Sequence, residues 1–123
     1  MKNAEVLAIL HTPGNDIVNQ TEGKYDNIKN ILEYNEKDEE QTLVHFDFIN
    51  NILTRENDSI ELEYQFIENE TTKNKVNVKN LDQILFVSIF TKKILIDDRY
   101  ICIKYQIVDA NEECTFEIKY EEI

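Results

Sequence analysis

The chain has 123 residues, enough for one domain that buries roughly two-thirds of its unfolded surface. Its 25 acids outnumber 13 bases for a net charge of −12, a balance that repels phosphate backbones and anionic lipid. Direct nucleic-acid binding is thus excluded as an expectation, as is a membrane span, since no apolar run approaches about 18 residues.

The N-terminal stretch MKNAEVLAILHT has one Lys, and Glu5 interrupts its apolar patch. It does not read as a signal peptide. Ala4 to His11 reads instead as a strand covered on both sides, ended by the turn Thr12-Pro13-Gly14-Asn15. A polar second strand, Asp16 to Tyr25, carries Gly23 in its interior, which predicts a bulge or sharp bend. A third runs from Ile28 to Asn35, and Glu36 to Glu40 reads as a solvated loop.

Thr42 to Ile49 alternates strongly, with Val44, Phe46 and Phe48 against His45 and Asp47. Asn50-Asn51 suits a hairpin turn into Ile52 to Glu56. Asn57-Asp58 turns again into the dry stripe Ile60, Leu62, Tyr64 and Phe66. Glu68 to Lys75 reads as a polar loop and Val76 to Val78 as a short strand. Two long strands follow, Gln83 to Ile96 and Tyr100 to Val108, joined at Asp97-Asp98-Arg99. In the second of these, Ile101, Ile103, Tyr105 and Ile107 share one face. Cys114 to Tyr120 closes the series.

About nine or ten strands at short spacing, with no helical periodicity, predict an antiparallel meander that curls and closes to lose its edges. The fold class expected is therefore all-β, a closed barrel of about eight to ten strands. Its inward set is bulky: Tyr34, Phe46, Phe48, Tyr64, Phe66, Phe86, Phe90, Tyr105, Phe116 and Tyr120. Such an interior is mostly filled, with room for a small polar-ended pocket where buried tyrosines find partners.

The order of these pieces resembles the YwiB-like family of small bacterial proteins. The matching pieces are TEGKY (Thr21–Tyr25), ILEYNE (Ile31–Glu36), a Thr-led strand at Thr42, and ILTRE (Ile52–Glu56). IELEYQF (Ile60–Phe66), FTKKI (Phe90–Ile94) and ICIKYQI (Ile101–Ile107) complete them. The resemblance implies a lipocalin-like (calycin-type) barrel with no assigned activity, so no catalytic residue is carried over. The family pattern has a glycine just after the arginine, where this chain has Glu56-Asn57-Asp58, and another where it has Asp82-Gln83. Those two turns must be built differently here.

No catalytic constellation emerges, so no enzyme, metal or cofactor is expected. His11 and His45 are the only histidines, and His45 is expected on a wet face beside Asp47. Cys102 and Cys114 fall on opposite faces of the last two strands, too far apart for a bridge needing Cβ atoms within about 4.5 Å. Free thiols suit a reducing, cytoplasmic setting.

Arg55, one of two arginines, is expected on the outer face in a cross-strand pair with Glu61 or Glu63, or else as an anion contact at a barrel mouth. The candidate ligand site joins Gly23, Tyr25 and Arg55, with Tyr64, Phe66 and Tyr105 lining the interior. The functional expectation is a non-catalytic binding module for a small amphipathic or anionic ligand, or for a protein segment. The alternative is an acidic interaction or inhibitor protein that occupies a basic nucleic-acid-binding surface on a partner. That alternative requires Glu36 to Glu40, Glu68, Glu70, Glu112 and Glu113 to gather on one side.

Overall fold

The computed structural model describes residues 1–123 and contains ten strands and one 3-10 turn. The strands are β1 (Lys2–Thr12), β2 (Asn15–Asp26), β3 (Ile31–Asn35), β4 (Leu43–Asp47) and β5 (Ile52–Glu56). They continue as β6 (Ile60–Gln65), β7 (Thr71–Val78), β8 (Gln83–Asp97), β9 (Tyr100–Ile107) and β10 (Glu112–Glu122). Each pairs antiparallel with the next, and β1 pairs with β10, so the meander closes into a barrel. Closure satisfies the backbone groups that an open sheet would leave at its edges.

The alternation expected for β9 is present: Ile101, Ile103 and Tyr105 are buried and Lys104 is exposed. Their partners on β10, Ile118, Phe116 and Cys114, are buried too. Cys102 lies opposite Glu117 on the outer face, so the two thiols remain apart and free.

Three expectations about individual elements fail for local reasons. Ile28 stands 89% exposed in the turn before β3, where Asp26 accepts the backbone N–H groups of Ile28 and Lys29. Residues Thr71–Lys75 belong to β7 rather than to a loop. This segment looks polar because its inward residue is Asn74, whose side chain accepts the Gln65 N–H at 2.9 Å and donates to the Val87 carbonyl at 3.2 Å. Asn74 thereby replaces a rung where the β6–β7 ladder ends at Glu63 and Lys75.

The third failure concerns Phe86 and Phe90, which point outward. Ile89 and Thr91 are the inward residues of that part of β8, while Ile94 faces in farther along. A bulge between Thr91 and Lys93 inserts one extra residue and reverses the parity.

The two turns that lack the family glycines are solved with side chains and with strain. Asn57 accepts the N–H groups of Ser59 and Ile60 at 2.8 and 2.9 Å, a side-chain substitute for a backbone turn. Asp82 adopts the left-handed conformation itself, at φ 47°, to end the Lys79–Leu81 turn.

Gly23 makes no bulge, because β1 pairs through it without a register shift. Its requirement is space. A Cβ there would sit 2.4 Å from the Glu33 carbonyl oxygen and 3.0 Å from the Tyr34 Cβ.

At one end of the barrel two seams open. β2 pairs with β3 only from Gly23 onward, and β8 pairs with β9 only from Ile89 onward. The β1–β2, β3–β4, β5–β6, β7–β8 and β9–β10 connections all gather at this end, which forms the mouth.

Candidate functional site

A cavity of about 180 Å³ lies inside the mouth. Its apolar wall comes from inward positions of several strands, among them Leu10, Leu53, Leu62, Ile107 and Phe116. Onto this wall project Tyr34, Tyr64 and Tyr105. Burial raises the pKa of all three hydroxyls, so they stay protonated and can donate hydrogen bonds at any physiological pH. Tyr105 meets the thiol of Cys114, whose pKa is likewise pushed up by burial. That thiol is held neutral and is not a poised nucleophile.

The polar end is built by Arg55 and Glu36. Arg55 lies level with Val44 and Leu62, both buried, so its side chain heads into the barrel rather than onto the outer face. The expected pair with Glu61 or Glu63 does not form. Instead Nε and Nη2 of Arg55 each lie 2.6 Å from Oε1 of Glu36. The other Glu36 oxygen accepts from the Asn19 amide at 3.3 Å, and Asn19 in turn accepts the Lys37 N–H at 3.0 Å. Glu36 is therefore held from two sides, with a side chain only 10% exposed.

The β3–β4 loop that follows Glu36 is pinned rather than merely solvated. Asp38 accepts the Thr42 N–H at 2.9 Å and its hydroxyl at 2.7 Å, and these bonds lower the Asp38 pKa. Thr42 is fully buried. In the sequence Glu36 reads as loop because it heads an acidic run. The signal was its period-2 spacing from Leu32 and Tyr34, both inward.

Among the expected site residues, Arg55, Tyr64 and Tyr105 meet at this cavity. Phe66 stands behind it, with its ring centroid 5.1 Å from that of Tyr105. Gly23 and Tyr25 do not line it. Tyr25 packs toward the opposite end, 4.9 Å from the Tyr120 ring and 6.4 Å from that of Phe48. Tyr25 and Arg55 therefore do not meet, because β2 carries Tyr25 to the end opposite the mouth.

The acidic groups divide as well. Glu36 to Glu40, Glu112 and Glu113 flank the mouth, whereas Glu68 and Glu70 sit in the β6–β7 connection at the other end. His45 shares the outer face of β4 with Asp47, as expected, and pairs with Glu33 at 3.1 Å. A wider hollow of about 680 Å³ on the outer face of β1, β2 and β10 is lined mainly by polar side chains such as Glu5, Gln20 and Lys119, and lacks the enclosed apolar wall of the mouth. No helix is long and apolar enough to cross a membrane.

No protein-family model and no curated protein matches the chain. Among solved structures, it is similar to the crystal structure of the ywiB protein from Bacillus subtilis. The two are 21% identical, and the match covers 98% of this chain and 90% of the other with a TM-score of 0.68. At that identity the likeness is one of fold. The sequence pieces from Thr21 to Ile107 that resemble the YwiB-like family are thus carried by a barrel of the same fold as the Bacillus subtilis protein.

Proposed function

We propose that this barrel is a non-catalytic binding module that seats a small amphipathic ligand in its mouth, in the manner of lipocalin-like barrels. The observation that carries the reading is the convergence of Arg55, Glu36, Tyr34, Tyr64 and Tyr105 on one apolar-walled cavity. A few oriented polar groups on an apolar wall are what an amphipathic ligand needs to be held in one orientation. The cavity's volume suits a short chain or single ring, not a long lipid.

Because Glu36 already neutralises Arg55, a neutral polar end such as a hydroxyl or amide is favoured over a carboxylate, which would have to displace Glu36. The protein binds nucleic acid neither directly nor by steering, given its net charge of −12. Its two free thiols suit a bacterial cytoplasm.

The test is a thermal-shift panel of short alcohols, amides and carboxylic acids on the wild type and on Arg55→Met. A compound that raises the melting temperature of the wild type and loses that effect in the variant supports the site. A panel without any stabilising compound, or an equal response from both proteins, removes it.

A further inference from the structure

The seam between β8 and β9 leaves part of β8 with a strand neighbour on one side only. β7 pairs with β8 down to Gln83, whereas β9 pairs with it only from Ile89. The last backbone bond across this seam runs from the Val108 N–H to the Ser88 carbonyl, at 2.9 Å. The other seam, beside β2, is bridged by Asn19 through Glu36 and Lys37. Gln83–Val87 is therefore an open edge that no side-chain bridge crosses of the kind Asn19 makes at the β2 seam.

Nothing in this segment blunts the edge in the usual ways, since it contains neither proline nor a charged residue. Ile84, Leu85 and Phe86 are 52%, 49% and 56% exposed. On the outer face Phe86 lies directly across from Lys75, and the Lys73 ammonium sits 4.6 Å from the centre of its ring. Neither lysine comes within 4 Å of a carboxylate. In a chain of net charge −12, this apolar open edge is flanked by Lys73, which has no carboxylate within ion-pair distance, and by Lys75, which faces Glu63 across the β6–β7 pair.

We propose that the Gln83–Val87 edge takes up an extended segment of a partner protein, alternately acidic and apolar, as an added strand. The backbone of that segment completes the unpaired side of β8. Its apolar side chains cover Leu85, and its carboxylates, on the other face, lie beside Phe86 within reach of Lys73. Complementary charge selects this partner over a second copy of the chain, which would bring its own Lys73 and Lys75 to the seam.

The probe is a capped, fluorescein-labelled octapeptide alternating valine and glutamate, followed by anisotropy and by amide chemical shifts of the full chain. We expect saturable binding, shifts centred on Gln83–Ser88, and a loss of about tenfold or more in affinity for Phe86→Glu or Lys73→Glu, a loss worth about 1.4 kcal/mol. Both side chains are at the surface, so these variants fold. A peptide N-methylated at alternate amides is expected not to bind. Absence of binding overturns the proposal, and so does equal binding of the N-methylated peptide, which would reduce the contact to charge alone. A dimer seen by sedimentation that the peptide does not dissociate would assign the edge to a second copy and also overturn it.

Discussion

Arg55 and Glu36 meet inside the barrel, with two guanidinium nitrogens of Arg55 2.6 Å from one carboxylate oxygen. They stand 19 positions apart in the chain, with the β3–β4 loop, β4 and the turn into β5 between them. Because the pair is partly buried, removing one member leaves the other's charge facing an apolar wall. Glu36→Gln is expected to lower stability less than Arg55→Met, since an amide can still accept from the guanidinium while Met leaves the carboxylate unpaired. Denaturant unfolding of both variants checks the order. The reverse order would mean that Glu36 is held mainly by Asn19.

Gly23→Ala is expected to destabilise the barrel by about 1–3 kcal/mol, the range for overpacking. The added methyl meets a backbone carbonyl at 2.4 Å, which cannot swing away as a side-chain tip could. Unfolding midpoints in urea measure it, and an unchanged midpoint would show that β2 and β3 separate freely here.

Asn74→Ala removes the acceptor for the Gln65 N–H and the donor to the Val87 carbonyl. Leaving such buried groups unpaired costs about 1–3 kcal/mol. Hydrogen exchange should speed up at Gln65 in particular, and unaltered exchange there would refute the role assigned to Asn74.

The faces of β9 are tested by a pair of neighbours. Tyr105→Asp places an unpaired charge in the core, at a cost of several kcal/mol, and should unfold the protein. Lys104→Asp lies on the outer face opposite Lys93 and should stay within about 0.5 kcal/mol of the wild type. Equal tolerance at both positions contradicts the assignment.

How much of this was legible beforehand depended on whether local pattern or distant partners decided the outcome. Short alternating strands and turn residues identified the barrel and nearly all its strands. Face assignments failed in β8, where the bulge after Thr91 reverses parity and no residue type announces it. For Arg55 the outer-face alternative fails and the barrel-mouth one holds; its partner Glu36 is hidden because it sits in an acidic run that looks like plain loop. Gly23 reads from the sequence as a bulge or bend, yet its constraint comes from the Glu33 carbonyl on the next strand and not from its own conformation.

On the outer face, His11 lies between Asp16 at 2.9 Å and Glu117 at 2.8 Å, while the Tyr100 hydroxyl donates to Glu117 at 2.6 Å. With a carboxylate at each ring nitrogen, the imidazolium is favoured and the His11 pKa rises above its ordinary 6.5, first through Glu117 and then Asp16. Its contribution to stability is complete below 6.5 and is lost as pH climbs through the raised value. Glu117 is shifted the other way, first by Tyr100 and then by His11, so its contribution is complete above the ordinary 4.5 and is lost in acid. The difference in melting temperature between the wild type and His11→Gln should therefore be greatest from about pH 4.5 to 6.5 and shrink on either side. A difference that grows toward alkaline pH would reverse the argument.

The most direct measurement of the binding claim uses the protein's six tyrosines as reporters, replaced by fluorotyrosine and followed by fluorine NMR during titration with a short alcohol such as 1-hexanol. Tyr34, Tyr64 and Tyr105 line the mouth, Tyr25 and Tyr120 pack together at the other end, and Tyr100 is on the outer face. The account predicts saturable shifts at Tyr34, Tyr64 and Tyr105 with the other three unmoved. Shifts confined to Tyr25 and Tyr120, or no saturable shift at any tyrosine, would contradict it.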